Sequence, residues 1–180
     1  MAADTAAALG TIRIAGVVRE SIVDGPGLRF VVFCQGCPHG CKGCHNPATH
    51  DFEGGYDCET EKILDAIGAN PLLDGVTFSG GEPLCQPEAF LTLAREIRRR
   101  FPALNIVIYT GYTWEALQTM KEENSSLKEL LKLTDLLIEG PFIEAQKDLT
   151  LQFRGSQNQR IIDMKATKEA GVVVLAEKYV

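Results

Sequence analysis

The chain has 180 residues with 18 Lys and Arg against 24 Asp and Glu, a net charge of −6, 45% hydrophobic residues and a pI near 5.1. That length suits one soluble domain with a real core and falls short of a closed eight-stranded α/β barrel of about 250 residues. The acidic balance excludes an ordinary nucleic-acid binder, since phosphate neutralisation needs clustered cations and the one dense run is Arg98-Arg99-Arg100, read here as a solvated helix face.

No apolar run approaches the roughly 18 residues of a membrane span. The alanine-rich start, residues 1–10, lacks the basic flank of a secretory signal and is expected to be a disordered tail before a single domain over 11–180. These readings place the chain in the cytoplasm, in contact with neither membrane nor nucleic acid. In that reducing compartment cysteines serve metals or chemistry more often than disulfides.

Along the chain, Ile12–Val18 and Leu28–Phe33 are rich in Val, Ile and Phe and read as strands, with the turn Asp24-Gly25-Pro26-Gly27 between them. Cys34 to Gly55 follows as a loop. A helix is expected from Glu59 to Ala69, capped by its acidic and Thr residues, then a strand over Gly75–Ser79 and a turn at Gly80-Gly81-Glu82-Pro83. The spacing of Phe90, Leu91, Ala94, Ile97 and Phe101 predicts a helix over Glu88–Phe101. A strand at Leu104–Thr110, helices at Trp114–Lys121 and Ser126–Lys132, and a strand at Leu136–Ile138 complete the pattern. Helices alternating with strands imply an α/β fold with a parallel sheet, and ligands of such sheets collect beyond the carboxyl ends of the strands. The cysteine loop, the glycine pair and Thr110-Gly111-Tyr112 all fall there.

Four of the six cysteines lie between positions 34 and 44. Thiolates this close, separated by Gly and Pro, favour a soft metal or an iron–sulfur cluster. A structural zinc site usually pairs two C-x2-C units across roughly 12–20 residues, whereas only three residues separate Cys37 from Cys41. The C-x3-C-x2-C of Cys37, Cys41 and Cys44 suits three corners of a cubane, leaving one iron open. Zinc or a redox dithiol stays an alternative at this level. Cys34 reads as a small buried hydrophobe, and Cys58 and Cys85 receive no role.

The cysteine spacing, followed after some 30–40 residues by Gly80-Gly81-Glu82-Pro83, resembles the radical S-adenosylmethionine (SAM) superfamily. Ser21-Ile22-Val23-Asp24-Gly25-Pro26-Gly27-Leu28-Arg29, Gly43 before the third cysteine, and His45-Asn46-Pro47 narrow the likeness to activases that install glycyl radicals. Glu139-Gly140-Pro141-Phe142 and the string from Arg154 to Asp163 are similar to the activating proteins of anaerobic ribonucleoside-triphosphate reductases, so the resemblance covers residues 12 to 163. It implies an incomplete parallel (β/α) barrel with four to six parallel strands. A 4Fe-4S cluster would sit on Cys37, Cys41 and Cys44, with SAM contacts at Gly43, Cys44, His45, Gly80, Gly81, Glu82 and Pro83. The four residues of the glycine motif would serve the methionine amino group, and Gly111 is a candidate for the adenosine pocket. The implied partners are the reductase's glycyl-radical segment and a low-potential electron donor. The rivals are activation of pyruvate formate-lyase, a short radical SAM enzyme acting on a small molecule, a ferredoxin-like carrier, and a zinc-binding interaction module. Arg154 and Arg160 have two readings, partner contact or pairing with acidic neighbours. The segment from Leu149 to Val180 either covers a sheet edge or meets the partner.

Overall fold

Val, Ile and Phe build the first two strands, β1 (Thr11–Ser21) and β2 (Arg29–Cys34), in the computed structural model, which describes residues 8–179. Five of the six residues of β2 are buried, as in a strand covered on both faces. β1 pairs with it antiparallel and carries a register shift between Ile14 and Gly16. The order continues with β3 (Tyr56–Glu59), α1 (Thr60–Gly68), β4 (Gly75–Gly80), α2 (Pro87–Arg100), β5 (Asn105–Thr110), α3 (Trp114–Glu123), α4 (Ser125–Leu133), β6 (Leu136–Glu139), β7 (Arg160–Asp163) and α5 (Met164–Ala170).

The strands form one seven-stranded sheet in the order β3-β1-β2-β4-β5-β6-β7. Its centre, β2-β4-β5-β6, is parallel, and the pairs β3-β1, β1-β2 and β6-β7 are antiparallel. The parallel core thus has four strands, within the expected range, and the sheet as a whole is mixed and open. The two outermost strands were not legible in the sequence. Thr11 to Ile14 of β1 pairs with β3, while β7 and the segment behind it close the other edge, with Asp163 N–H bonded to the Val174 carbonyl and Ala176 N–H to that of Ile161 at 2.9 Å each. The C-terminal residues therefore cover a sheet edge.

The apolar stripe of α2 behaves as its spacing predicts: Phe90, Leu91, Ala94 and Ile97 are buried, with Phe101 partly so. Its three consecutive arginines are not one solvated face. A helix turns about 100° per residue, so the run spreads around the cylinder. Arg99 remains on Glu96, while Arg98 bonds Asp135 and the carbonyls of Leu104 and Leu133, and Arg100 bridges Glu61 and Glu96. The side-chain cap expected before α1 is not made either. The Thr60 amide bonds the Gly10 carbonyl at 3.0 Å, and the Thr60 hydroxyl is buried with no partner. Of the expected tail, residues 1–7 lie outside the described residues, while Leu9 packs against the core.

One buried cation locks the β1–β2 loop to the sheet. Arg29 is 0% exposed and donates to Thr77 Oγ1 (2.6 Å) and to the carbonyls of Pro26, Val76 and Asn105. No carboxylate bonds it among the described residues, and burial lowers its pKa to about 10. The turn at 24–27 is thus clamped at the amino ends of β2, β4 and β5, where Arg29 pairs with Gly75 and Gly75 with Asn105.

Candidate functional site

Because β2, β4, β5 and β6 run in one direction, the loops that leave them meet at one rim. Together with Val23–Asp24 and residues 151–159 they wall a cavity of about 500 Å³, a size typical of small-molecule sites. Cys37, Cys41 and Cys44 all open onto it, as do His39, His45, Gly80, Gly81, Thr110, Gly111, Phe142 and Arg154. The sequence-predicted residues Gly43, Glu82 and Pro83 do not line it, and neither do Cys34, Cys58 and Cys85.

The cysteine loop grows directly out of β2. The Gln35 amide bonds the Arg13 carbonyl (3.0 Å), Gly36 bonds Thr49 (2.8 Å) and Cys37 bonds His50 (3.1 Å), so the two ends of the loop are stitched together. The Gln35 side chain reaches the carbonyls of Ala48 and Asp51, replacing backbone pairing where no regular structure exists. All three site cysteines are free and half-buried. The Asn46 amide donates to Cys44 Sγ at 3.4 Å. Burial pushes the Cys37 thiol up, and the His39 backbone N–H acts against it. Cys34 is 0% exposed within the core cluster, its thiol pushed well up by burial.

The glycine pair sits where no side chain fits. Gly80 has φ +95°, and a Cβ there would stand 2.6 Å from the Cys34 nitrogen. A Cβ on Gly81 would stand 2.4 Å from the Gly36 carbonyl oxygen and 2.9 Å from that of Thr49. The Gly81 amide bonds the Cys34 carbonyl (2.9 Å) and Glu82 N–H bonds Gly36 (2.8 Å), so β4 holds the root of the cysteine loop by main chain alone. Their bare backbone forms part of the cavity wall.

Glu82 is 0% exposed and turned inward. Oε1 accepts from the Leu84 amide (3.0 Å) and the Thr110 hydroxyl (2.9 Å), and Oε2 from the Gly111 amide (2.8 Å) and His39 Nε2–H (2.7 Å). The His39 ring stands edge-on to Tyr112 with centroids 4.5 Å apart. A Cβ on Gly111 would strike that ring at 2.4 Å, which accounts for the glycine. Spacing alone does not disclose this His39–Glu82 contact, which joins residues 43 apart.

The opposite wall comes from the stretch after β6. Phe142 and His45 lie with ring centroids 5.1 Å apart, and Gly155 packs against both. The two arginines separate cleanly. Arg160 bonds Glu139 and Glu115, while Arg154 faces the cavity, bonds the Gln159 carbonyl at 3.2 Å and keeps a buried Nε with no partner. Phe153 beside it has φ +57°, the one non-glycine residue with positive φ among those described. Cys85 lies outside, 4.0 Å from the Tyr112 hydroxyl, with its thiol pushed up to about 11 by burial.

The donor set fits an iron–sulfur cluster. Three half-buried free thiols share one cavity, a main-chain N–H stands at Cys44 Sγ, and bare glycine backbone lies in the same wall. Among the described residues no three such ligands are gathered closely enough to hold a single metal ion, so the set suits the wider corners of a cluster rather than one zinc.

Residues 23–162 match the family described as a 4Fe-4S single cluster domain. The chain is 35% identical over 146 residues to the anaerobic ribonucleoside-triphosphate reductase-activating protein of Vibrio cholerae, covering 78% of this chain and 90% of that one. It is 34% identical to the protein of that name in Enterobacteria phage T4 (77% and 86% covered) and 33% identical to the one in Escherichia coli K12 (77% and 90%). QueE from Escherichia coli overlaps 57% of this chain and 54% of its own at 20% identity with a TM-score of 0.45, too partial a likeness to carry argument. With a match across most of its length and three thiols at one rim of its parallel strands, the chain belongs to the family of anaerobic ribonucleoside-triphosphate reductase-activating proteins.

Proposed function

We propose that the chain holds a 4Fe-4S cluster on Cys37, Cys41 and Cys44, binds SAM beside it, and generates a glycyl radical on an anaerobic ribonucleoside-triphosphate reductase. The observation that carries this reading is the convergence of the three thiols with the Gly80–Gly81 backbone on one cavity of about 500 Å³. When bound, such a cluster supplies the electron, drawn from a low-potential donor, that splits the SAM sulfonium into methionine and a 5′-deoxyadenosyl radical able to take hydrogen from a partner glycine.

The chain's own residues bind, orient and exclude. Gly80 and Gly81 line the cavity with main-chain groups while the absence of side chains lets them pack on the root of the cysteine loop, an arrangement suited to seating a polar amino-acid moiety against the thiols. His45 and Gly111 extend the wall on either side. Phe33, Phe142 and Phe153 add apolar surface that keeps water and stray hydrogen donors from a reactive carbon. Arg154 is the one Lys or Arg among the lining residues, and its guanidinium suits a carboxylate entering the cavity. Gly43 turns the loop with φ +73°, its Cβ position 3.1 Å from Glu144 Oε1, so it shapes the third-cysteine turn. The open mixed sheet serves here as an incomplete barrel whose uncovered side admits a polypeptide. No described helix is long and apolar enough to cross a membrane, and a cysteine loop that holds a cluster suits the reducing cytoplasm.

The test is anaerobic reconstitution with iron and sulfide, then incubation with reductant, SAM and the purified reductase. The expected result is a brown protein with four irons per chain and a glycyl-radical signal in the reductase by electron paramagnetic resonance. A colourless protein holding one zinc refutes the cluster, and a signal only in pyruvate formate-lyase refutes the partner.

A further inference from the structure

Between the bonds that fix its ends, Cys37 N–H on the His50 carbonyl and Asn46 N–H on Cys44 Sγ, residues 38–43 of the thiol loop have only two polar ties to the rest of the chain among the described residues. One is an ion pair of Lys42 with Glu144 at 3.2 Å, with the lysine 90% exposed. Pairs of that kind contribute little. The other is the bond from His39 Nε2 to Glu82 Oε2, with the histidine side chain 15% exposed and the carboxylate 0%. A charged acceptor inside the protein makes that bond the stronger by far. It lands on the residue that also receives the Thr110 hydroxyl and the Gly111 amide from the end of β5 and the Leu84 amide from the turn after β4.

We infer that His39 is a positioning residue, a latch that docks the crest of the cysteine loop on the buried Glu82 carboxylate and so sets the thiols against the glycine-lined ligand surface. This rests on the proposed cluster and SAM site. It also divides the Gly80-Gly81-Glu82-Pro83 motif by task. The two glycines face the ligand. Each oxygen of Glu82 already accepts two hydrogen bonds from protein groups, and the side chain does not line the cavity, so its carboxylate serves the loop and leaves the methionine amino group to the glycine backbone. Gly111 belongs to the same device, because any side chain there would occupy the space of the His39 ring.

The decisive set is His39→Ala, His39→Gln, Glu82→Ala and the double alanine variant, each reconstituted anaerobically and titrated with SAM. Iron content and the resonance signature of the reduced protein with SAM are recorded alongside. Loss of one charge-assisted buried bond should weaken SAM binding about tenfold in His39→Ala, and at least as much in Glu82→Ala, which also strands the Leu84, Thr110 and Gly111 donors. The double variant should be no weaker than Glu82→Ala alone, because that change already removes the one bond His39 makes. His39→Gln, which keeps an N–H donor at similar reach, should bind within about threefold of the parent. Multiplying losses in the double variant, or unchanged SAM affinity and resonance signature in His39→Ala, would overturn the latch.

Hydrogen exchange on the metal-free protein gives a second reading that does not need Glu82→Ala to fold. The hydrogen-bonded amides of the loop, Cys37 on His50 and Cys44 on Cys41, should exchange faster in His39→Ala while those of β4 and β5 hold. Equal exchange in the loop rejects the latch. If the parent protein takes up no cluster or no SAM, the functional reading falls, and the exchange result alone still decides whether His39 holds the loop.

Discussion

Replacing Gly81 by alanine tests whether backbone proximity at the rim builds the site. The new Cβ would lie 2.4 Å from the Gly36 carbonyl oxygen, and carbon and carbonyl oxygen rest at about 3.3 Å, so that carbonyl must retreat by about 0.9 Å. The same oxygen accepts the Glu82 amide at 2.8 Å, and a retreat of that size stretches the bond to about 3.7 Å, beyond hydrogen-bond range. Overpacking costs about 1–3 kcal/mol, and a buried amide left without its partner about as much again, for a loss of roughly 2–5 kcal/mol. A domain of this size should then melt lower by about 5–15 °C. Thermal melting of the metal-free protein reads the stability term, and iron content with SAM affinity after reconstitution reads the displacement of Gly36, which immediately precedes Cys37. Gly16→Ala is the control: its Cβ meets nothing within 4 Å, its φ lies outside the left-handed region, and stability should stay within about 1 kcal/mol of the parent. Melting and SAM affinity that match the parent in Gly81→Ala would refute the reasoning.

Three further outcomes are expected. Arg160→Met should cost about 2–4 kcal/mol in urea unfolding, because it leaves the Glu139 carboxylate, 1% exposed, with the Trp114 amide as its remaining partner, and Glu139→Gln added to it should recover part of the loss; a change below about 0.5 kcal/mol would count against a buried pair. Cys34→Ala should lower stability by about 1 kcal/mol and keep full iron and SAM binding, whereas Ser at Cys37, Cys41 or Cys44 should each deplete iron; iron lost from Cys34→Ala would make it a ligand. The Arg100 guanidinium on Glu61 and that of Arg99 on Glu96 hold both carboxyls below their ordinary value of 4.5. A carboxyl with a depressed folded value adds stability that is complete above its unfolded value and lost as pH falls through the folded one, so melting temperature should drop on acidification below about pH 4.5, and more shallowly in Arg100→Gln; parallel curves would dissociate these pairs from acid unfolding.

The parts of the site that could be read from the sequence are those fixed by short separations. Three cysteines within eight residues and two adjacent glycines after a strand carry their geometry locally, and the 3.6-residue stripe of α2 does the same for its buried face. What escaped depends on partners far along the chain. Tyr56–Glu59 is four residues with almost no burial, so its strand character comes entirely from pairing with Thr11–Ile14. Arg160–Ile162 becomes a strand by pairing with Glu139–Leu137, and there Arg160 finds two carboxylates brought from β6 and α3. Glu82 is the clearest case. The glycine motif marks it as important, yet only the fold brings Thr110, Gly111 and His39 to its oxygens, and those contacts turn the side chain away from the cavity toward the protein.

The position of the thiols is an extension of the sheet register. Cys34 pairs with Gly80 at the last rung of β2 and β4, and the next two bonds, Gly81 to Cys34 and Glu82 to Gly36, carry the ladder past the strands into the loop. Those rungs lie against Phe30, Val32 and Phe78, all fully buried, so the root of the loop shares the stability of the core while its crest is held by side chains. Close backbone approach at 80 and 81 is therefore needed twice over, once to continue the ladder and once to leave main-chain groups bare beside the sulfurs. The facing wall, from Phe142 and residues 151–159, is not joined to that ladder: it has its own short antiparallel bridge, Lys147 with Ser156, and rests otherwise on the side chains of Gln159, Ser156 and Arg154. A rigid floor under a separately built wall lets the gap between them be set by side chains at 142 and 153–155 without moving a cysteine, and in this chain Gly155 leaves that gap open where any larger residue would press on Phe142 and His45.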